Sequence, residues 1–235
     1  SLNYFRATIF SEKEPETLEW INGFKIEENN EVCLWDIGAN IGLYSIYAAV
    51  KNKNLKIFSF EPSTSNLRVL SRNLSINNLN DNVTIVPIAL GENNTYFSKF
   101  YENNFEEGGA LNSFKYNRDY IGNKFDYSNS YNILGLSLDE LVEKTNMIIP
   151  RYIKIDVDGL EHFILKGSEN LLQSKELKEI FIEINENYEE QFKSVIDLMR
   201  KNNFIIISKK NSEIIKKSQE FSNTFNYHFQ RTIKI

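Results

Sequence analysis

The sequence predicts an α/β fold built on a mostly parallel, seven-stranded sheet flanked by helices. Three observations carry that prediction. Segments rich in β-branched and aromatic residues recur at 32–37, 55–60, 83–89, 152–157, 180–184, 204–208 and 227–233, each of strand length. Between several of them lie helical periodicities: Leu67, Leu70 and Leu74 share a face, as do Phe192, Val195, Ile196 and Met199. Strands that alternate with helices in this way form a parallel sheet wrapped on its faces. A chain of 235 residues is long enough for one such domain and short for two.

Residues 1–235 are therefore read as a single domain with three parts. Residues 1–30 form a helical lead, in which Ser11-Glu-Lys-Glu14 has the pattern of a capping box. Residues 31–90 and 137–235 form the core, and Ser137-Leu-Asp-Glu140 opens a helix through Val142 with a second capping box. Residues 91–136 break the rhythm with Asn, Tyr, Phe and Ser and the pair Gly108-Gly109. A segment that long within a compact domain is a functional excursion or disordered. Its aromatics Tyr96, Phe97, Phe100, Tyr101 and Phe105 suit a substrate-side lid, and equally suit short extra strands packed on the core.

The stretch Asp36-Ile-Gly-Ala-Asn-Ile-Gly42 joins the first strand to a helix at 43–50. Gly38 and Gly42 let the backbone turn tightly beneath a ligand. Glu61 closes the second strand, where a carboxylate reaches the ribose hydroxyls of a nucleotide. A dinucleotide site uses G-x-G-x-x-G to admit a pyrophosphate; Asn40 stands at the middle position and the spacing is G-x-N-x-G. That disfavours a pyrophosphate and favours a methionine-type tail, whose ammonium finds acceptors in Asp36 and the loop carbonyls. S-adenosylmethionine satisfies both ends. The cofactor set is Asp36, Gly38, Ala39, Asn40, Gly42 and Glu61, with Asn66 and Ala89 completing it further along.

In open parallel sheets ligands sit beyond the carboxyl ends of the strands. Two of those ends carry acids, Lys154-Ile-Asp156-Val-Asp158-Gly-Leu-Glu161 and Phe181-Ile-Glu183-Ile-Asn185. Asp156 and Glu183, brought together, either share a proton or hold a divalent cation such as Mg, and either arrangement activates a hydroxyl. Asp156 is the first candidate base or metal ligand, Glu183 stands beside it, and Asp158 is a further acid of the site. His228, in the last strand candidate, is an alternative base. The remaining histidine, His162, reads as structural. No Cys/His cluster supports zinc and no Gly-x-Ser-x-Gly turn supports a nucleophilic triad.

The order and spacing of these motifs resemble the FkbM-type family of S-adenosylmethionine-dependent methyltransferases. The matching pieces are Lys13-Glu-Pro-Glu-Thr-Leu-Glu-Trp20, Asp36-Ile-Gly-Ala-Asn-Ile-Gly-Leu-Tyr-Ser45, and Phe60-Glu-Pro62 with Asn66 and Asn73. Ser137-Leu-Asp139, the run Lys154 to Glu161, Leu165-Lys-Gly167 and Glu183 follow. Asp158 stands where the family more often has Glu. The resemblance implies a Rossmann-like class I methyltransferase that O-methylates a sugar or sugar-nucleotide of a capsule, lipopolysaccharide or secondary metabolite. Amine and nucleic-acid methylases carry an Asn/Asp-Pro-Pro-aromatic turn where this chain has Asp156-Val-Asp-Gly159. Two other readings stay open: an NAD-dependent oxidoreductase on the same βαβ unit, and a non-catalytic cofactor-binding partner subunit.

A net charge of −5 and a pI near 5.3 argue against a nucleic-acid scaffold, which needs a clustered basic face. The single Cys33 precludes an internal disulfide and suits a reducing compartment as a small buried apolar residue. No apolar run approaches the ~20 residues of a membrane span, and no signal-peptide core opens the chain. A soluble, cytoplasmic protein is expected, with a small-molecule or nucleotide-sugar substrate. Because it opens on Ser1 rather than Met, the chain also reads as trimmed or as a piece of a longer polypeptide.

Overall fold

A computed structural model describes residues 1–27 and 31–232. Residues 28–30, the end of the expected lead, and Ile233, the end of the last strand candidate, lie outside the described residues. The lead is helical: α1 (Leu2–Thr8), α2 (Phe10–Lys13) and α3 (Pro15–Asn22). Ser11 falls inside α2 and caps nothing, because the turn starts one residue earlier at Phe10. Pro15 opens α3, where its missing N–H costs no hydrogen bond.

The core then runs β1 (Val32–Ile37), α4 (Leu43–Lys51), β2 (Leu55–Phe60), α5 (Thr64–Ile76) and β3 (Val83–Val86). The strand expected through residue 89 stops at Val86, since Pro87 has no N–H to give a ladder. The excursion follows with β4 (Ala89–Leu90), β5 (Tyr96–Glu102), β6 (Ser113–Phe114) and β7 (Asn129–Leu136). The second half of the core comprises α6 (Leu138–Lys144), β8 (Tyr152–Ile155), α7 (Glu161–Lys166), α8 (Glu169–Gln173), β9 (Glu179–Asn185), α9 (Glu189–Lys201), β10 (Phe204–Lys210), α10 (Glu213–Lys217) and β11 (Thr224–Arg231). Ser137 caps α6 as expected, its hydroxyl accepting from the Glu140 N–H, but the Glu140 side chain turns to Thr95 and Lys144 rather than closing the box.

The main sheet has seven strands in the order β10-β11-β9-β8-β1-β2-β3. Strands β3, β2, β1, β8 and β9 run parallel, and β11 enters antiparallel between β9 and β10. Side-chain alternation divides the core. Cys33, Trp35, Ile37, Ile153 and Ile155 meet Ile164, Leu165 and Val195 on one face. Val32, Leu34, Tyr152 and Phe181 meet Trp20, Ala48 and Leu70 on the other. This second face matters for the site. Asp36 lies opposite Lys154, and Lys154 opposite Phe181, so Asp36, Lys154, Asp156 and Glu183 all follow the period of two onto the side covered by α3 and α4.

The excursion contains the short extra strands, and of Tyr96, Phe97, Phe100, Tyr101 and Phe105 it is Phe100 that lines the cavity at the carboxyl ends of the main sheet. It forms a small sheet in the order β4-β7-β5-β6, and its Phe100 and Phe114 pack with Ala89, Leu160 and Phe163. Tyr96 packs on Phe114 and Tyr101 on Tyr127, whereas Phe97 and Phe105 are exposed. The loop between β5 and β6 crosses the carboxyl ends of the main sheet. Among the described residues, no helix is long and apolar enough to cross a membrane.

Candidate active site

A cavity of about 370 Å³ opens at the carboxyl ends of β1, β2, β8 and β9, within the roughly 300–1,000 Å³ typical of small-molecule sites. The bend after β1 forms its floor, Glu61 and Ala89 one side, Asp156, Asp158 and Glu183 another. The roof comes from distant chain: Phe5, Arg6 and Lys13 of the lead, Leu111 of the excursion, and Phe221 and Thr224 before and in β11.

The bend is fixed by its neighbours. Gly38 has φ +86°, and a Cβ there would stand 1.8 Å from the Asp156 carbonyl oxygen, so backbone conformation and space both demand glycine. The N–H groups of Gly38 and Ala39 both donate to the Phe60 carbonyl at 3.0 Å. Asn40 N–H donates to Glu61 Oε2 at 2.8 Å, and Ser63 N–H to Oε1 at 2.8 Å. Asn73 Nδ2 holds the far side through the Ile41 carbonyl at 2.8 Å. Burial pushes the Glu61 carboxyl up to about 7 against the lowering effect of the Ser63 and Asn40 N–H groups.

Charge concentrates at the other end. Lys154, buried on β8, donates to Asp156 Oδ2 at 2.7 Å with its ammonium 4.8 Å from the Tyr44 ring centroid. Lys13 donates to Glu14 Oε1 at 2.8 Å. One oxygen each of Glu14, Asp156 and Glu183 lies within 4.8 Å of the others. Burial alone would raise Asp156, but Lys154 and then Lys13 outweigh it and hold the carboxyl at about 2. For Glu183, burial and then the Asp156 charge outweigh the lowering effect of Lys13 and push the carboxyl well above the usual carboxylate range. Asp158 is raised to about 6 by burial and then by Asp156. The two neighbouring carboxylates therefore have their proton affinities driven apart.

The structure brings together Gly38, Ala39, Asn40, Glu61, Ala89, Asp156, Asp158 and Glu183 in the lining of one cavity. Gly42, also at φ +86°, turns the chain into α4 just behind it. Asp36 stands behind the bend, taking a hydrogen bond from Ser45 Oγ at 2.6 Å on Oδ2, with Oδ1 buried and unpartnered among the described residues. Asn66, expected at the cofactor, is one layer back: its Oδ1 accepts from Gly108 N–H at 2.8 Å and its Nδ2 donates to Gly109 O at 3.1 Å, fixing the roof loop. Asp158, at φ 57°, accepts from Leu111 N–H at 2.6 Å and ties the same loop from the opposite side.

His228 is corrected most clearly. Its ring nitrogen is 2.9 Å from Glu179 Oε2, which also accepts from Trp20 Nε1, and it does not line the cavity. Asn226, not His228, lies opposite Glu183, so the histidine sits on the right face but about 7 Å back along the strand.

Sequence reasoning missed Arg6, Lys13, Glu14, Tyr44, Lys154, Asn185 and Thr224 as members of the site. Lys154 was findable, since two residues before Asp156 on a strand end means the same face. Asn185 was findable in the same way, two residues after Glu183 on β9, and the others arrive by tertiary packing alone.

The methyltransferase FkbM domain matches residues 36–206, from the acid of the first bend to the strand β10. The chain belongs to that family. This FkbM-domain chain is 28% identical over 150 residues to the hexuronic acid methyltransferase AglP of Haloferax volcanii, a match covering 63% of this chain and 54% of that protein. It thus spans about half the length of that curated relative. Its fold is similar to the precorrin-6y C5,15-methyltransferase of Geobacter metallireducens, at 15% identity and TM-score 0.53, covering 93% of this chain and 87% of that one. It is also similar to M. capricolum TrmK in complex with S-adenosyl-homocysteine, at 13% identity and TM-score 0.51, covering 92% and 67%. At such identities the likeness is one of fold: a Rossmann-like class I methyltransferase architecture.

Proposed function

We propose that this FkbM-domain chain is an S-adenosylmethionine-dependent O-methyltransferase acting on a hydroxyl of a sugar or sugar-nucleotide, in polysaccharide or secondary-metabolite synthesis. The observation that carries the reading is the half-buried pair Asp156 and Glu183 in the same cavity as the glycine bend and Glu61. The sugar acceptor is supported by the name of the Haloferax relative.

The residues fit the cofactor. Glu61 presents buried carboxylate oxygens at the cavity wall for ribose hydroxyls, Ala89 offers an apolar surface for a base, and the bend at Gly38, Ala39 and Asn40 runs beneath. Asp36 stands behind the bend, its carboxyl raised by burial and holding the hydrogen bond from Ser45 Oγ. When bound, S-adenosylmethionine supplies a methyl carbon on a sulfonium, so the oxygen–methyl bond forms as the sulfur–methyl bond breaks, leaving S-adenosylhomocysteine.

The chain's own task is to position the acceptor and take its proton. Alignment is worth about 7–11 kcal/mol of a barrier. An alcohol also needs a base, worth about 10²–10⁴-fold when its proton affinity suits the working pH. Asp156, neutralised by Lys154, is a weak base and serves as a fixed acceptor that orients the hydroxyl. Glu183 receives the proton, because its carboxyl is raised by burial and by Asp156, whereas Lys154 is held against Asp156. Asp158 shapes the loop that closes over the pair.

A resident divalent cation does not fit this donor set. Two of the three clustered acids already face ammonium groups, Glu14 at 2.8 Å and Asp156 at 2.7 Å, and a dication between them would meet both lysines at close range.

The test is release of S-adenosylhomocysteine by the isolated chain with a panel of UDP-hexoses and UDP-hexuronates. Release with a sugar supports the reading. Preferential binding of NAD over S-adenosylhomocysteine in calorimetry overturns it in favour of an oxidoreductase, and cofactor binding without turnover of any acceptor favours a non-catalytic subunit.

A further inference from the structure

Strands β9 and β11 pair antiparallel with Thr224 opposite Asn185 and Asn226 opposite Glu183. Opposite residues share a face in such a pair, as do residues two apart. Glu183, Asn185 and Thr224 therefore form one polar corner of the sheet. A recess of about 20 Å³ opens there, beside the main cavity, and shares Asp158, Glu183, Phe221 and Thr224 with it.

The corner is built around polar atoms that nothing among the described residues satisfies. Asn185 Oδ1 accepts from Asn187 N–H at 3.0 Å, which leaves the amide nitrogen to find an acceptor elsewhere. Asn185 Nδ2 and Thr224 Oγ1 are 96% and 94% buried as residues, and neither atom has a partner among the described residues. Buried polar groups are ordinarily matched, so two unmatched atoms facing one recess mark a place for a group that both donates and accepts. The volume is that of one hydroxyl or one water, far too small for a sugar ring. Tyr120 and Phe221, with ring centroids 4.8 Å apart, wall the recess with apolar surface.

Because Glu183 and Thr224 line both spaces, one ligand can present a hydroxyl to each. We propose that Asn185 and Thr224 read a second hydroxyl of the acceptor, adjacent to the one that is methylated, so that substrates present hydroxyls on neighbouring carbons and this corner selects which is modified. The inference rests on the proposed function.

The experiment measures S-adenosylhomocysteine release from UDP-glucose and UDP-glucuronate and from their 2-, 3- and 4-deoxy counterparts, with native chain, Thr224→Val and Asn185→Asp. Both substitutions keep side-chain shape, and unchanged S-adenosylhomocysteine affinity confirms an intact fold. The native chain should lose about tenfold in kcat/KM when the hydroxyl next to the methylated one is removed. Thr224→Val should raise KM for the parent sugar about tenfold and lose less than about twofold on that deoxygenation, since protein and ligand partners then belong to one interaction. If the native chain tolerates every neighbouring deoxygenation, or both variants keep native KM while release continues, the recess holds only water and the inference fails alone. If no sugar yields release, the proposed function fails and takes the inference with it.

Discussion

Cofactor affinity should depend on pH through Glu61, and the dependence can be worked out from the site. Its carboxyl is buried and raised to about 7. Ribose hydroxyls donate hydrogen bonds, so the bound state favours the carboxylate and the free state partly holds the acid. With a free-state value of about 7, about one-tenth of the molecules are ionised at pH 6 and about nine-tenths at pH 8, so affinity should rise about tenfold over that interval. The sign follows from binding the deprotonated form: affinity is gained as pH rises through the free value. Calorimetric titration with S-adenosylhomocysteine at pH 6, 7 and 8, in buffers of different ionisation enthalpy, reads both affinity and the proton released at pH 6. Glu61→Gln should bind weakly and flatten the profile. A tenfold rise that persists in Glu61→Gln refutes the assignment, as does a flat profile in the native chain.

Glu183→Gln should lower kcat by about 10²–10⁴-fold with cofactor affinity within about twofold, and a larger loss of affinity than of rate would remove Glu183 as the proton acceptor. In the native chain kcat should rise with pH as the raised Glu183 carboxyl ionises, a dependence measured on the same release assay. Gly38→Ala should destabilise the chain by about 2–3 kcal/mol, combining left-handed strain with the collision at Asp156, and abolish cofactor binding; thermal melting with a native midpoint would contradict the geometry. A chelator should leave turnover unchanged, whereas Lys154→Met should disable it by releasing Asp156. Loss of activity with chelator, restored by Mg, would show that the two ammonium groups are not the cations of the site.

The parts of this molecule that follow from local periodicity were legible in the sequence. Strand and helix order came from alternation and from the Leu67, Leu70 and Leu74 face, and the bend at Gly38 and Gly42 from glycine spacing alone. Asp156 and Glu183 were legible as a pair on the condition that their strands are neighbours, which the pairing of β8 with β9 meets. Register was not legible. His228 was expected near the pocket because its strand leads there, yet Thr224 of β11 lines the cavity and His228, two two-residue steps further along, lies against Glu179. Asn66 carried the right motif and a different task, since only the fold shows the loop at Gly108 and Gly109 resting on its amide. The ammonium groups of Lys13 and Lys154 reversed the ranking of the two acids, a change that depends on distances no spacing rule supplies.

Much of the cavity's roof comes from the opening helices and from β11, which grip each other directly. Asn226 Nδ2 donates to Glu16 Oε1 at 2.9 Å across 210 positions, and Lys210 pairs with Glu19 at 2.8 Å. The chamber is thus completed only when synthesis of β11 is finished and the opening helices have docked. Partial chains should capture nothing, and saturating nucleoside should delay melting of the entire polypeptide as one cooperative unit rather than of its glycine bend alone.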